Sequence, residues 1–274
     1  MKQDDFKRIM AEYTELMISL ASVKGTIDWQ SELWMRSTKQ CADFASKHID
    51  PGSRVLDFGC GMGLISVLMR EAGYEVTGID IDVGKQYGTV KKSYSAPWGT
   101  IGDELENPEL LQNAWHLLEQ RYGIKYGAFD GRNIPFEDDS FDAVIAHAVF
   151  EHINPDILPD VIRDISRVTR NGGHFLIFRT PRKKAWIEGL IRILRLSGHD
   201  LLYSEDEVED HVLPFGFELE SKAVTDMLPS FPPFGIKIYN WLSPVLAHVE
   251  RYLLKTPLKQ YAHHLAMVFR KIDQ

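Results

Sequence analysis

The fold of this chain is decided by residues 55–63, which read Val55-Leu56-Asp57-Phe58-Gly59-Cys60-Gly61-Met62-Gly63. The first four residues are mostly apolar and predict a short buried strand. The three glycines at alternate positions let the backbone turn sharply and approach a ligand closely, because they carry no Cβ. A helix is predicted from Gly61 to Ala72, and its first N–H groups would face a polar or anionic ligand. The stretch therefore predicts a strand, a ligand-binding loop and a helix in direct succession.

An acidic residue follows the next predicted strand. Tyr74–Ile79 forms that strand, and Asp80 follows Gly59 by 80 − 59 = 21 residues. In nucleotide-binding units an acid at this place accepts hydrogen bonds from ribose hydroxyls. The nicotinamide fingerprint G-x-G-x-x-G would need a third glycine where this chain has Leu64. The pattern thus indicates a nucleoside cofactor and disfavours an oxidoreductase.

Strands and helices alternate along much of the remaining sequence. Further strands are predicted at 124–129, 141–146, 174–179, 216–220 and 261–269. Helices are predicted at 6–20, 34–48, 108–122 and within 156–169. Asn171-Gly172-Gly173 is expected to cap the last of these, and Ser243 with Pro244 to begin a later one. Such alternation is typical of an α/β fold in which helices cover both faces of a parallel sheet.

The composition limits the classes of function. The 274 residues include 31 basic and 39 acidic side chains, which give a formal net charge of −8. An acidic balance disfavours a phosphate backbone as partner, so no nucleic acid is expected. Two cysteines, Cys41 and Cys60, cannot build a disulfide framework or a cysteine zinc site. The sequence has no apolar run of transmembrane length and no signal-peptide pattern, so a cytoplasmic location is expected.

The glycine-rich stretch resembles motif I of the class I S-adenosylmethionine-dependent methyltransferases. Gly78-Ile79-Asp80 is similar to the acidic end of their second strand. Residues 129–142 (FDGRNIPFEDDSFD) and 150–153 (FEHI) resemble two later motifs of the family's small-molecule branch, in the expected order. The resemblance covers roughly Ser53 to Pro181. It implies a Rossmann-like, seven-stranded, mostly parallel sheet with helices on both faces, an antiparallel last strand and added helical cover segments.

The same resemblance implies S-adenosylmethionine as cofactor, with S-adenosylhomocysteine as product. Asp80 would hold the ribose hydroxyls, and Ile81 would pack on the adenine. Asp130, beside Gly131, would accept a hydrogen bond from the adenine amino group. The methionine part would be surrounded by Asp57, Gly59, Cys60, Gly61 and Gly63, with His147 close by.

The chain is expected to consist of a core and several additions. Residues 1–50 would form an N-terminal helical cover, and 51–226 the cofactor-binding core with an insertion at 82–122. Residues 227–260 would form a helical insertion or lid, and 261–274 the closing strand of the core. The insertion is longer than the family's usual single helix, so contacts within it cannot be carried over from the family.

Two histidines are candidates for catalysis. Methyl transfer from a sulfonium is an in-line displacement, so the protein chiefly aligns the acceptor and excludes water. His147, directly after the fourth core strand, would be the base for a hydroxyl acceptor, and the alternative is a polar cap on that strand. His152 is the second candidate, although the matching family position is often structural, and Glu151 would orient either ring. No metal site is predicted, because His147 and His152 lack the H-E-x-x-H spacing and His263 and His264 would alternate faces of a strand.

The sequence lacks two motifs, and their absence disfavours two classes of methyl acceptor. The chain lacks the Asn/Asp-Pro-Pro-aromatic signature for amino groups of bases or glutamine, and it lacks the Pro-Cys pair of cytosine C5 methylation. A small-molecule acceptor is expected, foremost a hydroxyl of a quinone, a phenol or a glycoconjugate. N- or C-methylation and a non-catalytic cofactor-binding regulatory module are the alternatives. The sequence makes no prediction of the oligomeric state.

Two further features suggest contacts on the acceptor side. The added segments carry aromatic residues, which either face the acceptor or form helix cores: Tyr13, Trp34, Trp98, Phe231, Phe234, Tyr239 and Trp241. A basic amphipathic helix is predicted from Pro181 to Leu196, with Arg182, Lys183, Lys184, Arg192 and Arg195 as its cations. That helix would either contact a membrane or a lipid-linked substrate, or cover the sheet with its basic face in solvent.

Overall fold

The computed structural model of the chain describes residues 1–19, 32–81, 108–194, 199, 201–229 and 236–272. Its strands are β1 (Arg54–Phe58), β2 (Glu75–Ile81), β3 (Lys125–Phe129), β4 (Phe141–His147), β5 (Thr169–Pro181), β6 (Phe217–Thr225) and β7 (His264–Lys271). They form one sheet in the order β3-β2-β1-β4-β5-β7-β6. Only β7 runs antiparallel to its neighbours among these strands. The predicted Rossmann-like α/β fold with an antiparallel last strand is therefore confirmed.

Eight α-helices accompany the sheet in the described ranges. They are α1 (Gln3–Ser19), α2 (Glu32–Ala45), α3 (Leu64–Glu71), α4 (Pro108–Tyr122), α5 (Leu158–Val168), α6 (Trp186–Ile193), α7 (Glu205–Val212) and α8 (Ile236–Leu253). Neighbouring residues of a strand point to opposite faces. Val55 joins a core shared with α1, α2, α3 and α4, whereas Leu56 joins a second core shared with α5 and α7. Each face of the sheet thus has its own core, as predicted.

The predicted glycine cap of α5 is wrong. The helix already ends at Val168, and the Thr169 hydroxyl donates to the carbonyl of Ile165 at 2.7 Å. β5 begins at Thr169, so Asn171-Gly172-Gly173 lies inside a strand, next to an irregularity in its pairing with β4. Gly172 does have a positive φ, +70°, but it serves a bulge in the strand rather than a helix end.

The predicted start of the last helix is also wrong. α8 begins at Ile236, so Ser243 and Pro244 lie in its interior. The Ser243 hydroxyl donates to the carboxylate of Glu32, and the Glu32 N–H donates to the side chain of Asn240 at 3.0 Å. Proline inside a helix removes one backbone hydrogen bond. The hydrogen bonds between α8 and α2 therefore lie next to the position at which proline removes a backbone hydrogen bond.

The basic segment forms a shorter helix than predicted. α6 begins at Trp186, and Arg182 lies before it with its guanidinium buried against two backbone carbonyls and Glu205. Lys183 pairs with an acid of α7. Arg195 lies outside the described residues. At least two of the five cations are therefore engaged within the fold. None of the described helices is long and apolar enough to cross a bilayer.

Candidate functional site

The predicted site residues gather at one edge of the sheet. Four parallel strands have their carboxyl ends there, at Phe58, Ile81, Phe129 and His147. Ligands of open α/β sheets bind at this edge. Phe58 pairs with Ala146, so the loop that follows β1 lies beside the end of β4. We call residues 59–63 the glycine loop.

The glycine loop needs its glycines for two different reasons. All three have a positive φ, +71° at Gly59, +49° at Gly61 and +78° at Gly63. A Cβ on Gly59 would lie 2.5 Å from the Val149 side chain, and one on Gly63 would lie 2.5 Å from the Tyr126 hydroxyl. A Cβ on Gly61 would have no neighbour within 4 Å. The fold therefore requires Gly59 and Gly63, whereas Gly61 borders open space that a ligand would fit.

Side chains of two helices hold the carbonyl groups of the glycine loop. Tyr13 of α1 donates its hydroxyl to the carbonyl of Met62 at 3.0 Å, and Trp115 of α4 donates its indole N–H to that of Gly61 at 2.8 Å. The Trp115 ring stacks on Tyr126 of β3, with centroids 5.8 Å apart and planes 6° apart. These contacts could not be predicted from the sequence, because spacing carries no information about side chains that meet from distant segments.

Two acids near the loop have different surroundings. Asp80 accepts hydrogen bonds from the N–H groups of Gly61 at 2.6 Å and Ile81 at 2.7 Å. Asp57 is buried and accepts from the Ser66 hydroxyl at 2.6 Å, and burial raises the pKa of its carboxyl to about 7. Asp80 thus joins the end of β2 to the glycine loop, whereas Asp57 joins β1 to α3, and the ribose contact of Asp80 stays a prediction.

Asp130 lies after β3 in an exposed turn. Its carboxylate accepts from the backbone N–H groups of Arg132 and Asn133 at 2.8 and 2.7 Å, and from the Asn133 side-chain amide at 2.7 Å. The backbone hydrogen bond from Asn133 lowers the pKa of Asp130, so the group stays ionised. Gly131 beside it has a φ of +84°. An ionised acceptor at this place suits an amino group such as that of adenine.

Cys60 and Ile81 are the remaining residues of the predicted cofactor site. Cys60 is buried, and its sulfur lies 3.0 Å from where a Cβ on Gly78 would be. Burial raises the pKa of the Cys60 thiol well above its usual value, so the thiol is neutral and unreactive. Its N–H donates to the carbonyl of Ile79 at 2.9 Å. Ile81 is partly buried against the second core. Cys60 therefore serves the loop through its backbone.

His147 ends β4 beside the glycine loop. Its Nε2 is buried and has no hydrogen-bond partner in the part of the chain that the structure describes. Burial lowers the pKa of His147 to about 3, and the charge of Arg179 acts in the same direction. The ring is neutral at pH 7. It can share a hydrogen bond, but its protonated form is strongly disfavoured.

His152 lies a few residues later in the 3₁₀ turn Phe150–His152. Its Nε2 is 3.4 Å from a carboxylate oxygen of Glu151. Glu151 is buried, and the His152 ring is partly exposed. Glu151 therefore lies beside the His152 ring, and its orienting role stays a prediction.

A buried polar cluster, which the sequence did not predict, adjoins His147. Asp226 after β6 accepts from the Ser37 hydroxyl at 3.0 Å and bonds to Nδ1 of His264 at 2.7 Å. Arg179 of β5 donates to Ser37 at 2.8 Å and lies 3.9 Å from the Asp226 carboxylate. Burial alone would raise the pKa of Asp226, but the Arg179 charge and the His264 bond hold it far below its usual range. Since four separate segments supply the cluster, no local motif could have revealed it.

His263 and His264 lie together, contrary to prediction. Their rings stack with centroids 3.8 Å apart. β7 begins only at His264, so His263 still belongs to the turn before the strand and the alternation of strand side chains does not apply to it.

The predicted aromatic cover is only partly described. Tyr13 and Tyr239 are buried, whereas Trp241 is 78% exposed. The other predicted members lie outside the described side chains: Trp34, Trp98, Phe231 and Phe234. Most of the predicted insertion, residues 82–107, also lies outside the described ranges. For Tyr13, the core alternative is the better interpretation.

Comparisons of the sequence with known proteins find methyltransferases. The family model of the methyltransferase domain matches residues 29–222. A ubiquinone biosynthesis O-methyltransferase of Xanthomonas campestris pv. campestris is 32% identical over 136 residues, which are 48% of this chain and 46% of that protein. The chain spans less than half the length of the curated relatives it matches.

Solved structures share the fold at low identity. A Burkholderia thailandensis 1,6-didemethyltoxoflavin-N1-methyltransferase, solved with its substrate and S-adenosylhomocysteine, has a TM-score of 0.55 at 16% identity, over 100% of this chain and 92% of that one. The [4+2]-cyclase SpnF has a TM-score of 0.58 at 17% identity, over 95% and 93% of the two chains. These likenesses concern the fold, on which different chemistries occur. By its domain match and its seven-stranded sheet, the chain belongs to the class I S-adenosylmethionine-dependent methyltransferase family.

Proposed function

We propose that this chain methylates a small-molecule acceptor and that the receiving atom is a hydroxyl oxygen. The observation that carries the proposal is the buried, unpartnered Nε2 of His147 beside the glycine loop. Buried polar atoms normally have a partner, and an acceptor hydroxyl would supply one. The similarity to a ubiquinone biosynthesis O-methyltransferase supports a hydroxyl acceptor.

In this proposal the chain's own residues bind, orient and exclude water. S-Adenosylmethionine supplies a methyl group activated by the sulfonium charge. Gly61 would face the methionine part, Asp80 would hold the ribose and Asp130 the adenine amino group. His147 would orient the acceptor hydroxyl, whose oxygen gains the methyl group as the sulfur–methyl bond breaks. Because the pKa of His147 is about 3, the hydroxyl proton passes on to solvent rather than staying on the ring.

The same pKa supports a second class of acceptor. A general base works best when its pKa lies near the working pH, and His147 lies well below it. A neutral amine nitrogen carries a free electron pair and needs no proton removed before it attacks. N-methylation therefore makes less demand on His147 than O-methylation does.

A transfer assay tests the proposal. Cofactor labelled in its methyl group is incubated with the chain and a fractionated extract of host metabolites and lipids. We expect a labelled product whose methyl carbon has the NMR shift of a methoxy group, whereas an N-methyl shift would favour the second class. His147→Ala is expected to lower kcat at least about tenfold, and His248→Ala, on an exposed part of α8, to leave it unchanged. Calorimetric binding of S-adenosylhomocysteine without any transfer would indicate a non-catalytic module, and absence of binding would overturn the cofactor assignment.

The exposed side of α8 supports an acceptor at a membrane. Ile238, Trp241, Val245, Val249 and Tyr252 recur every three or four residues, with 57%, 78%, 62%, 41% and 68% of each exposed. The exposed charged side chains from 237 to 261 are all basic: Lys237, Arg251, Lys255 and Lys259. An apolar stripe with a cationic border fits an anionic phospholipid surface. We place this contact at the cytoplasmic side, since both cysteines are free thiols.

Vesicle sedimentation tests the membrane contact. The chain is expected to sediment with vesicles containing phosphatidylserine and not with purely zwitterionic ones. Replacing Ile238 and Trp241 by serine should weaken sedimentation at least about tenfold. Ile272→Ser, at an exposed residue beyond β7, is the matched control. Equal sedimentation of all variants, or a dimer in solution that covers the α8 stripe, would contradict the proposal.

A further inference from the structure

Three side chains with metal-binding atoms meet near the start of β7. Glu188 of α6, His199 and His263 come from three segments of the chain, and their ligand atoms all lie within 4.8 Å of one another. Glu188 Oε1 is 2.6 Å from Nδ1 of His199 and 2.8 Å from Nε2 of His263. The Glu188 side chain is 5% exposed and each histidine side chain 12%. A carboxylate and two imidazoles therefore converge at a nearly buried site.

The charge of this group favours a cation. Among the described residues, the ion-pair partners of Glu188 are these two histidines, and no lysine or arginine reaches its carboxylate. Glu188 thus brings a nearly buried carboxylate to the group. Buried charges are costly unless they are paired or coordinate a metal. A divalent cation would compensate the carboxylate and use both ring nitrogens.

The donor set is one that zinc uses in proteins. Two imidazoles and one carboxylate leave a fourth tetrahedral position for water or another ligand. Metal–ligand bonds of about 2.0–2.2 Å would set the ligand atoms about 3.3 Å apart. The Glu188 oxygen would therefore have to move from each nitrogen by about 0.5–0.7 Å. The two ring nitrogens, which lie within 4.8 Å of each other, would also have to come to about 3.3 Å.

Neighbouring contacts hold the ligands in place. The Trp186 indole N–H donates to the carbonyl of Met227 at 2.7 Å, which fixes the first turn of α6 two residues before Glu188. The His263 ring stacks on His264, which in turn bonds to Asp226 at 2.7 Å. Contacts of this kind orient metal ligands before the metal arrives.

We propose that Glu188, His199 and His263 bind a divalent transition-metal ion, foremost zinc. The site would join α6 to the start of β7, where His263 stacks on His264 and its N–H donates to the backbone carbonyl of Asp226 at 2.9 Å. A bound ion there would stiffen the polar cluster that adjoins His147. This inference concerns metal binding alone and does not depend on the acceptor proposed above.

Metal content tests the inference directly. The untagged chain is loaded with zinc, freed of unbound metal on a desalting column and measured by elemental mass spectrometry. We expect about one zinc ion per chain for the wild type and for the control His248→Ala, and less than about one in ten chains for Glu188→Gln and His263→Ala. Zinc should also raise the Tm of the wild type and leave the Tm of Glu188→Gln unchanged.

Each outcome has a clear meaning. A wild-type chain that retains no zinc and shows no rise in Tm overturns the inference, and so does equal zinc in the wild type and the variants. Calorimetric binding of S-adenosylhomocysteine shows whether a variant is folded, and Glu188→Gln changes the shape of the site least. Because cofactor binding and zinc content are measured separately, failure of one proposal is distinguishable from failure of the other.

Discussion

Gly61→Ala is expected to weaken cofactor binding more than it weakens the fold. Gly61 has a φ of +49°, and a Cβ there would meet no atom within 4 Å. The cost to the fold is therefore limited to left-handed backbone strain, about 1–2 kcal/mol for a residue with a side chain. If the methionine part of the cofactor lies against Gly61, the new methyl group displaces it. We expect the Kd for S-adenosylhomocysteine to rise at least about tenfold, or about 1.4 kcal/mol.

Two other glycines provide matched controls. Gly52, in the turn before β1, has a φ of +83° and also no atom within 4 Å of a Cβ. Gly52→Ala should cost the fold the same amount and leave the Kd unchanged. Gly63→Ala adds contacts of 2.5 Å to Tyr126 and 2.7 Å to Leu118, so overpacking brings the total loss of stability to about 2–5 kcal/mol.

Two measurements separate the effect of each variant on cofactor binding from its effect on the stability of the fold. Urea unfolding gives the free energy of unfolding of the three variants, and titration calorimetry gives their affinity for S-adenosylhomocysteine. The reasoning is refuted if Gly61→Ala binds with the wild-type Kd, or if Gly52→Ala loses as much affinity as Gly61→Ala does. It is also refuted if Gly63→Ala is no less stable than Gly52→Ala.

Three further predictions concern buried polar groups. His147 has a pKa of about 3 in the folded chain against an ordinary 6.5, so it takes up a proton on unfolding between these pH values and stability falls as the pH falls. In urea unfolding, His147→Gln should remove about 1.4 kcal/mol per pH unit of that slope between pH 6 and pH 4. An unchanged slope would contradict this prediction. Asp226→Asn should lower the free energy of unfolding by about 3–5 kcal/mol, against about 0.5 kcal/mol or less for the control Asp156→Asn at an exposed residue. Equal losses in the two variants would refute a contribution of the polar cluster to the stability of the fold. Tyr13→Phe should cost about 1–3 kcal/mol of stability and raise the Kd for S-adenosylhomocysteine, which calorimetry would show.

The sheet and the cofactor edge were predictable because their signals are local. Gly59, Gly61 and Gly63 follow a strand within a few residues, and Asp80 ends the next strand of the same unit. Each of these places is set by the period of a strand or by the backbone freedom of glycine. The carboxyl ends of parallel strands then bring the residues to one edge.

The buried polar cluster beside His147 was not predictable in the same way. Ser37, Arg179 and Asp226 come from α2, β5 and the residue after β6, and only tertiary packing brings them together. The wrong helix ends have a related cause. Pro244 is a good first helical residue by local preference, but α8 continues through it while bonded to α2.

Tyr13 and Trp115 join the glycine loop to two helices, so a cofactor that binds at this loop, as we propose, would have its affinity coupled to the docking of those helices. Coupling between binding events is reciprocal, so a cofactor that tightens the loop must also tighten α1 against the core by the same factor. Amide hydrogens of α1 should then exchange more slowly when S-adenosylhomocysteine is bound. In a fusion protein or a complex whose partner binds α1, that contact would therefore change the affinity of the chain for S-adenosylmethionine.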